Sequence, residues 1–204
     1  MTLSVNPYGR LMGKSRDDAR LINLLGAAAI GLNDAAVGDV AADGGLDCTA
    51  AGALVALLDL AESGSVRRLS QMLGLTHSGT VRLVNRLADA KVVERAAGPD
   101  LRTVSVRLTR PGRAVARRIR AGRHAAIATA LAGLTRQQRD QLTVACEVLI
   151  TNMTMARLAR RTAGARPSGG ALCRMCDPAA CGRLAGGCPA AGATAGFDSE
   201  FSWD

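Results

Sequence analysis

Between Ser65 and Arg113 the spacing of apolar residues changes from helical to alternating and back, with only short turns between. Val66, Leu69 and Leu73 share one face of a short helix that Ser65 can cap and Gly74 can end. Thr76 can cap a second helix running to about Ala90. Val92-Val93-Glu94-Arg95 and then Thr103 to Leu108, with Val104, Val106 and Leu108 alternating, read as two strands. The loop Gly98-Pro99-Asp100-Leu101-Arg102 joins them. Two short helices, a tight turn and a hairpin form the order of a winged helix–turn–helix. That order predicts one helix for a major groove and one hairpin beside it.

The second helix divides cleanly by face. Arg82, Asn85, Arg86 and Asp89 fall within about 80° of Ser78, whereas Val81, Val84, Leu87 and Ala88 point the other way. Ser78, Arg82 and Asn85 are therefore the candidate base readers. Thr76, His77 and Arg86 are better placed for phosphates or the groove margin. Arg102 at the tip of the hairpin loop suits a narrow, electronegative minor groove, and Asp100 can fold back to fix that loop.

Composition agrees with a polyanionic partner. The formal charge is +9, and of the 26 basic residues only Lys14 and Lys91 are lysine. The arginines concentrate between Arg67 and Arg123 and again from Arg157 to Arg166; arginine suits phosphate clamps and paired contacts to guanine. Tyr8, Phe197, Phe201 and Trp203 are the only aromatic residues, so the core is aliphatic and suits close-packed helices: a mainly α fold with a small β-hairpin. A glycine-rich phosphate loop, informatively spaced paired carboxylates and a nucleophile with its base are all missing, which argues against an enzyme. No uncharged apolar run reaches the roughly 18–20 residues that span a bilayer, and the N-terminus has no secretory pattern. The expectation is a cytoplasmic protein with reduced cysteines and no membrane partner.

Along the chain, residues 1–16 read as a flexible arm. Residues 17–48 hold a helix starting at Asp17-Asp18, with Leu21, Ile22, Leu25 and Leu32 at helical spacing. Residues 49–110 form the winged unit, opened by a helix from about Ala50 to Glu62 that Thr49 can cap. Residues 111–162 hold two long helices; Pro111 fits the first turn of one, and Thr135 caps the other. Residues 163–204 shift to Gly, Ala, Pro and Cys.

That last segment carries Cys173, Cys176, Cys181 and Cys188, spaced Cys-x2-Cys-x4-Cys-x6-Cys. Four thiolates match tetrahedral zinc, and the x2 and x4 intervals resemble a zinc knuckle with Cys181 in place of histidine. A closing Cys188-Pro189 also suits a [4Fe–4S] cluster, and reversible disulfides are a third use. A tail with so few large apolar groups needs such a clip to order itself. Phe197, Phe201 and Trp203 could dock the terminus. Cys48 precedes a helix N-terminus, where a thiolate is favoured, and is a candidate peroxide sensor. Cys146 reads as a buried helix residue. His77 and His124 are too few and too far apart for a histidine metal site.

Leu83-Val84-Asn85-Arg86-Leu87, Val92-Val93-Glu94-Arg95, Asp100-Leu101-Arg102 and Leu108-Thr109-Arg110-Pro111-Gly112-Arg113 together resemble the MarR family of bacterial transcription regulators. The likeness covers about residues 17–162. Where the family has Asp-Arg-Arg at the wing, this chain has Leu101 in the middle, with Arg102 keeping the second arginine. The resemblance implies a triangular homodimer, held by the first and last two helices, on a pseudo-palindromic operator. Its recognition helices would sit about one duplex turn, roughly 34 Å, apart. It also implies an apolar small-molecule ligand between the dimerisation and DNA-binding parts, and a ligand-responsive repressor. Two other readings stay open: a metal- or redox-sensing switch using the four-cysteine tail, and a non-specific architectural DNA-binding protein.

Overall fold

A computed structural model of the chain describes residues 16–41, 46–59, 64–97, 104–164 and 169–195. Helix α1 (Arg16–Ala41) opens it, with Asp17 and Asp18 in its first turn, where carboxylates suit the helix dipole. Helix α2 (Cys48–Asp59) follows and is buried from Ala50 to Leu57. Its cap differs from the expectation. Asp47, not Thr49, accepts the Ala50 amide, at 2.8 Å, so the helix begins at Cys48 and Thr49 lies inside its first turn.

Helix α3 (Val66–Leu73) starts as expected, with the Ser65 hydroxyl accepting the Arg68 amide. It ends at Gly74, whose φ of 66° lies in the left-handed region that glycine occupies without strain. Helix α4 (His77–Asp89) is capped by Thr76 in the same way. Strands β1 (Val93–Ala97) and β2 (Val104–Leu108) pair antiparallel, Val93 opposite Leu108 and Arg95 opposite Val106. Ser65 bridges to Ser105, so the chain entering α3 borders the hairpin, a pairing the residue pattern did not signal.

The core is aliphatic. Leu54, Val55, Leu69, Val84, Leu87 and Val106 are among its fully enclosed side chains. They come from α2, α3, α4 and the hairpin, closed by Ala116 and Ile119 of the next helix. That helix, α5 (Arg110–Ala130), is capped by Thr109 and packs against α1 and α2. Gly112 in its first turn is obligatory: a β-carbon there would stand 1.8 Å from the Val92 carbonyl oxygen. The same oxygen accepts the Thr109 amide at 3.2 Å, and the Thr109 hydroxyl donates to the Lys91 carbonyl at 2.8 Å. The Thr-Arg-Pro-Gly run thus ties the end of the hairpin to the start of α5.

Helix α6 (Arg136–Thr162) has a full capping box, Thr135 and Gln138 each bonding the other's backbone amide. Of its residues, Leu158 alone is buried. Val144, Val148, Leu149 and Met153 are exposed, and so is Cys146, against the expectation that it sits in a core. Its helical face is apolar, but nothing among the described residues covers it. With a mean hydropathy of 1.2 over its most apolar stretch, α6 is the one described helix long and apolar enough to cross a membrane. Leu21, Ile22, Leu24, Leu25 and Ile30 of α1 are similarly open. After α6 come turns through the cysteines, a 3-10 turn (Arg183–Ala185) and a one-turn helix, α7 (Pro189–Gly192), which lies against α6.

Candidate nucleic-acid interface

Helix α4 buries Thr80, Leu83, Val84 and Leu87 and presents Ser78, Arg82, Asn85, Arg86 and Asp89 to solvent. The exposed face is the one expected. The buried face is rotated slightly, because Thr80 and Leu83 are enclosed while Val81 and Ala88 are only half-buried. Thr80 is accommodated because its hydroxyl donates to the Thr76 carbonyl at 3.0 Å.

Two of the expected contact residues already have partners. The Arg86 guanidinium forms an ion pair with Asp47 at 2.6 Å. Burial alone would raise the Asp47 carboxyl, but its bonds to the Ala50 amide and Arg86 outweigh that and hold it below the ordinary aspartate range. Arg86 therefore also fastens α4 to the start of α2, while its side chain stays more than half exposed on the face expected to meet phosphates. The Asn85 carboxamide oxygen accepts a hydrogen bond from Arg95 of β1. Arg95 was not singled out in the sequence: it lies ten positions away on a strand, and only the fold brings it to the recognition helix. Ser78 shares a 3.3 Å contact with the Thr76 hydroxyl, which also holds the Gly79 amide, so the head of α4 is fixed in place.

Arg82 and His77 are exposed on this surface. Asp100 and Arg102 lie outside the described residues. Cys48 is exposed at the first turn of α2.

The cysteine segment is not detached, as a tail without a core would be. The Ala171 amide donates to the Met72 carbonyl at 2.7 Å, and Met175 packs on the main core. Gly170 lies so close to Met72 and Leu73 that a β-carbon would meet a backbone oxygen at 2.3 Å. Gly74, in the turn of the helix–turn–helix, is equally tight against Gly169. Residues 169–175 thus form a strap across the end of α3. The Arg174 side chain fills the space beside Gly52 of α2, and Arg157 of α6 donates to the Gly170 carbonyl.

Beyond the strap, the Cys176 amide returns to the Cys173 carbonyl, and the Gly187 amide to Gly182, so Cys181 and Cys188 flank a closed loop. Cys188 is buried and Cys173, Cys176 and Cys181 are half-buried. Burial pushes the Cys176 thiol up, helped by Cys173 and, less, by Cys181 and Cys188. Cys173 is raised by burial, with Arg183 opposing and Cys188 and Cys181 adding to it. Among the described residues, no three His, Cys, Asp or Glu side chains are placed to hold a metal ion. Phe197, Phe201 and Trp203 lie outside the described residues.

No family model and no curated protein matches the chain. Solved structures do. A MarR family protein from Bacillus stearothermophilus is 23% identical, with a TM-score of 0.60, covering 69% of this chain and 98% of its own. A MarR family protein from Mycobacterium tuberculosis is 28% identical, with a TM-score of 0.50, covering 66% and 96%. CouR from Rhodococcus jostii, solved bound to p-coumaroyl-CoA, is 24% identical, with a TM-score of 0.50, covering 66% and 92%. With its helix–turn–helix, two-stranded hairpin and long flanking helices, the chain has the fold of the MarR family of transcription regulators.

Proposed function

We propose that the chain is a cytoplasmic, homodimeric, sequence-specific DNA-binding regulator that represses at a pseudo-palindromic operator and responds to a small ligand. The observation that carries this reading is helix α4, whose fixed N-terminus presents Ser78 and Arg82 on an open face above a fully packed core. The uncovered apolar faces of α1 and α6 support a dimer, because apolar surface of that extent calls for a partner. The complex of CouR with p-coumaroyl-CoA supports a small-molecule effector. Arg82→Ala tests the assignment in an electrophoretic shift on DNA selected from a random pool. Loss of specific binding by a protein that still elutes as a dimer is expected, and retained preference for the selected sequence overturns it.

A second reading adds a metal-dependent clip in the tail. Its support is the Cys-x2-Cys-x4-Cys-x6-Cys spacing, with Cys188 buried and the other three half-buried, in a segment whose one large aliphatic residue after Met175, Leu184, is 87% exposed. One zinc or one iron–sulfur cluster per chain, lost in Cys173→Ser, is expected from metal analysis and the absorption spectrum of fresh protein. A metal-free, fully folded protein rejects this reading.

A further inference from the structure

Where the strap meets α6 it leaves a small cavity of about 50 Å³. Thr154, Arg157, Leu158 and Arg161 of α6 form one wall, the run Gly170 to Cys173 another, and Ala190 and Thr194 the end. That is room for a few waters, so the space matches a single oxyanion group and not a large ring system.

The charge around it is one-sided. Arg157 is half-buried, and its guanidinium is destabilised by that burial and then by the like charges of Arg174 and Arg161. The partners it does have are neutral: Arg157 donates to the Gly170 carbonyl, and Arg174 to the Ala171 carbonyl at 3.0 Å. Among the described residues, none of these three arginines forms an ion pair. The nearby hydroxyls are already committed as donors, Thr154 to Ile150 and Thr194 to Ala191, so the guanidinium groups are left to recognise a ligand. Two cations lining one small cavity, Arg157 and Arg161, with a third, Arg174, close enough to repel Arg157 and no carboxylate in the lining, favour an anion there, and arginine's planar fork matches the geometry of carboxylate and phosphate.

We propose that this cavity between α6 and the strap is a binding site for a small oxyanion, a carboxylate or phosphate group, held by Arg157 and Arg161 with Arg174 beside them. The strap that walls the site also bonds α3 through Ala171 and Met72. An occupied site therefore stiffens the contact behind the helix–turn–helix. That consequence rests on the DNA-binding reading, whereas binding of the anion does not.

The test is calorimetric titration of the full-length protein with inorganic phosphate in one arm and benzoate in the other, at constant ionic strength. One saturable site per chain is expected in at least one arm, and the responding arm identifies the group. Arg161→Gln, which removes the charge but keeps a polar side chain, should weaken that binding by about tenfold or more. Charge reversal in Arg161→Glu should remove it. Duplex affinity in anion-free buffer should be the same in both variants as in the natural chain. No saturable heat in either arm overturns the proposal, as does an affinity unchanged by both substitutions. A fall in anion-free duplex affinity also overturns it, since the cluster would then serve the DNA backbone. Failure of the duplex to bind any form of the protein leaves the titration result standing and counts against the regulator reading alone.

Discussion

Asp47 performs two tasks that one pair of substitutions can separate. Its Oδ1 accepts the Ala50 amide and caps α2, and its Oδ2 pairs with Arg86 of the recognition helix. Asparagine caps a helix about as well as aspartate, so Asp47→Asn removes mainly the ion pair. Both partners are half exposed, at 59% and 50%, which places the pair in the range of about 0.2–1 kcal/mol. Asp47→Ala also loses the cap, adding about 1 kcal/mol. Urea unfolding should therefore rank the natural chain above Asp47→Asn and that above Asp47→Ala, with an unchanged denaturant slope. The pH dependence has a definite sign. The folded-state pKa of Asp47 lies below the ordinary value of 3.8, so its contribution is complete above 3.8 and disappears as the pH falls through the lower folded value. The curves for the natural chain and Asp47→Asn should converge in acid. At neutral pH, Asp47→Asn releases Arg86, and the log–log salt slope of duplex binding should steepen by about 1 as one more phosphate is engaged. An unchanged salt slope would refute the idea that Asp47 withholds Arg86 from DNA. Equal stability of the Asn and Ala variants would refute the cap.

Three further outcomes follow from the packing. Gly112→Ala drives a β-carbon into the Val92 carbonyl and should cost at least about 3 kcal/mol in denaturant unfolding, whereas Gly133→Ala, with nothing within 4 Å, should cost less than about 0.5. Leu149→Asp places a charge on the open apolar face of α6 and should shift the protein from dimer to monomer by light scattering; an intact dimer would remove α6 from the interface. Arg95→Ala unties Asn85 and should change the preferred base at one position of a selected operator, and an unaltered selection would show that Asn85 reads no base.

What could be read from the residues is what depends on near neighbours. Ser65, Thr76 and Thr135 were identifiable as caps because each acts on an amide three positions on. The inward placing of Val106 and Leu108 on the second strand follows from the alternation of Val104, Val106 and Leu108, and the Thr-Arg-Pro-Gly junction from a proline fit for a first turn. The α2 cap was misplaced because Thr49 and Asp47 are both good caps, and only the geometry shows which aims at a free amide. The partners of Arg86 and Asn85 lie 39 and 10 positions away, beyond any periodicity. Docking of the strap was invisible for a different reason. It rests on glycine backbones in contact, with Gly74 against Gly169 and Gly170 against Met72, and such contacts leave no apolar pattern behind.

The strap also sets an order of events in making the protein. Met72 and Ala171 are about a hundred positions apart, while the contacts within α3, α4 and the hairpin are local or nearly so. Local contacts form early and long-range closures late, so a chain emerging from the ribosome completes its helix–turn–helix well before its strap arrives. For that interval the nascent molecule holds a reading head without the clasp behind it. In the finished protein the clasp rests on few contacts beside the enclosed core, so amide hydrogen exchange at Ala171 should run ahead of exchange at Leu87.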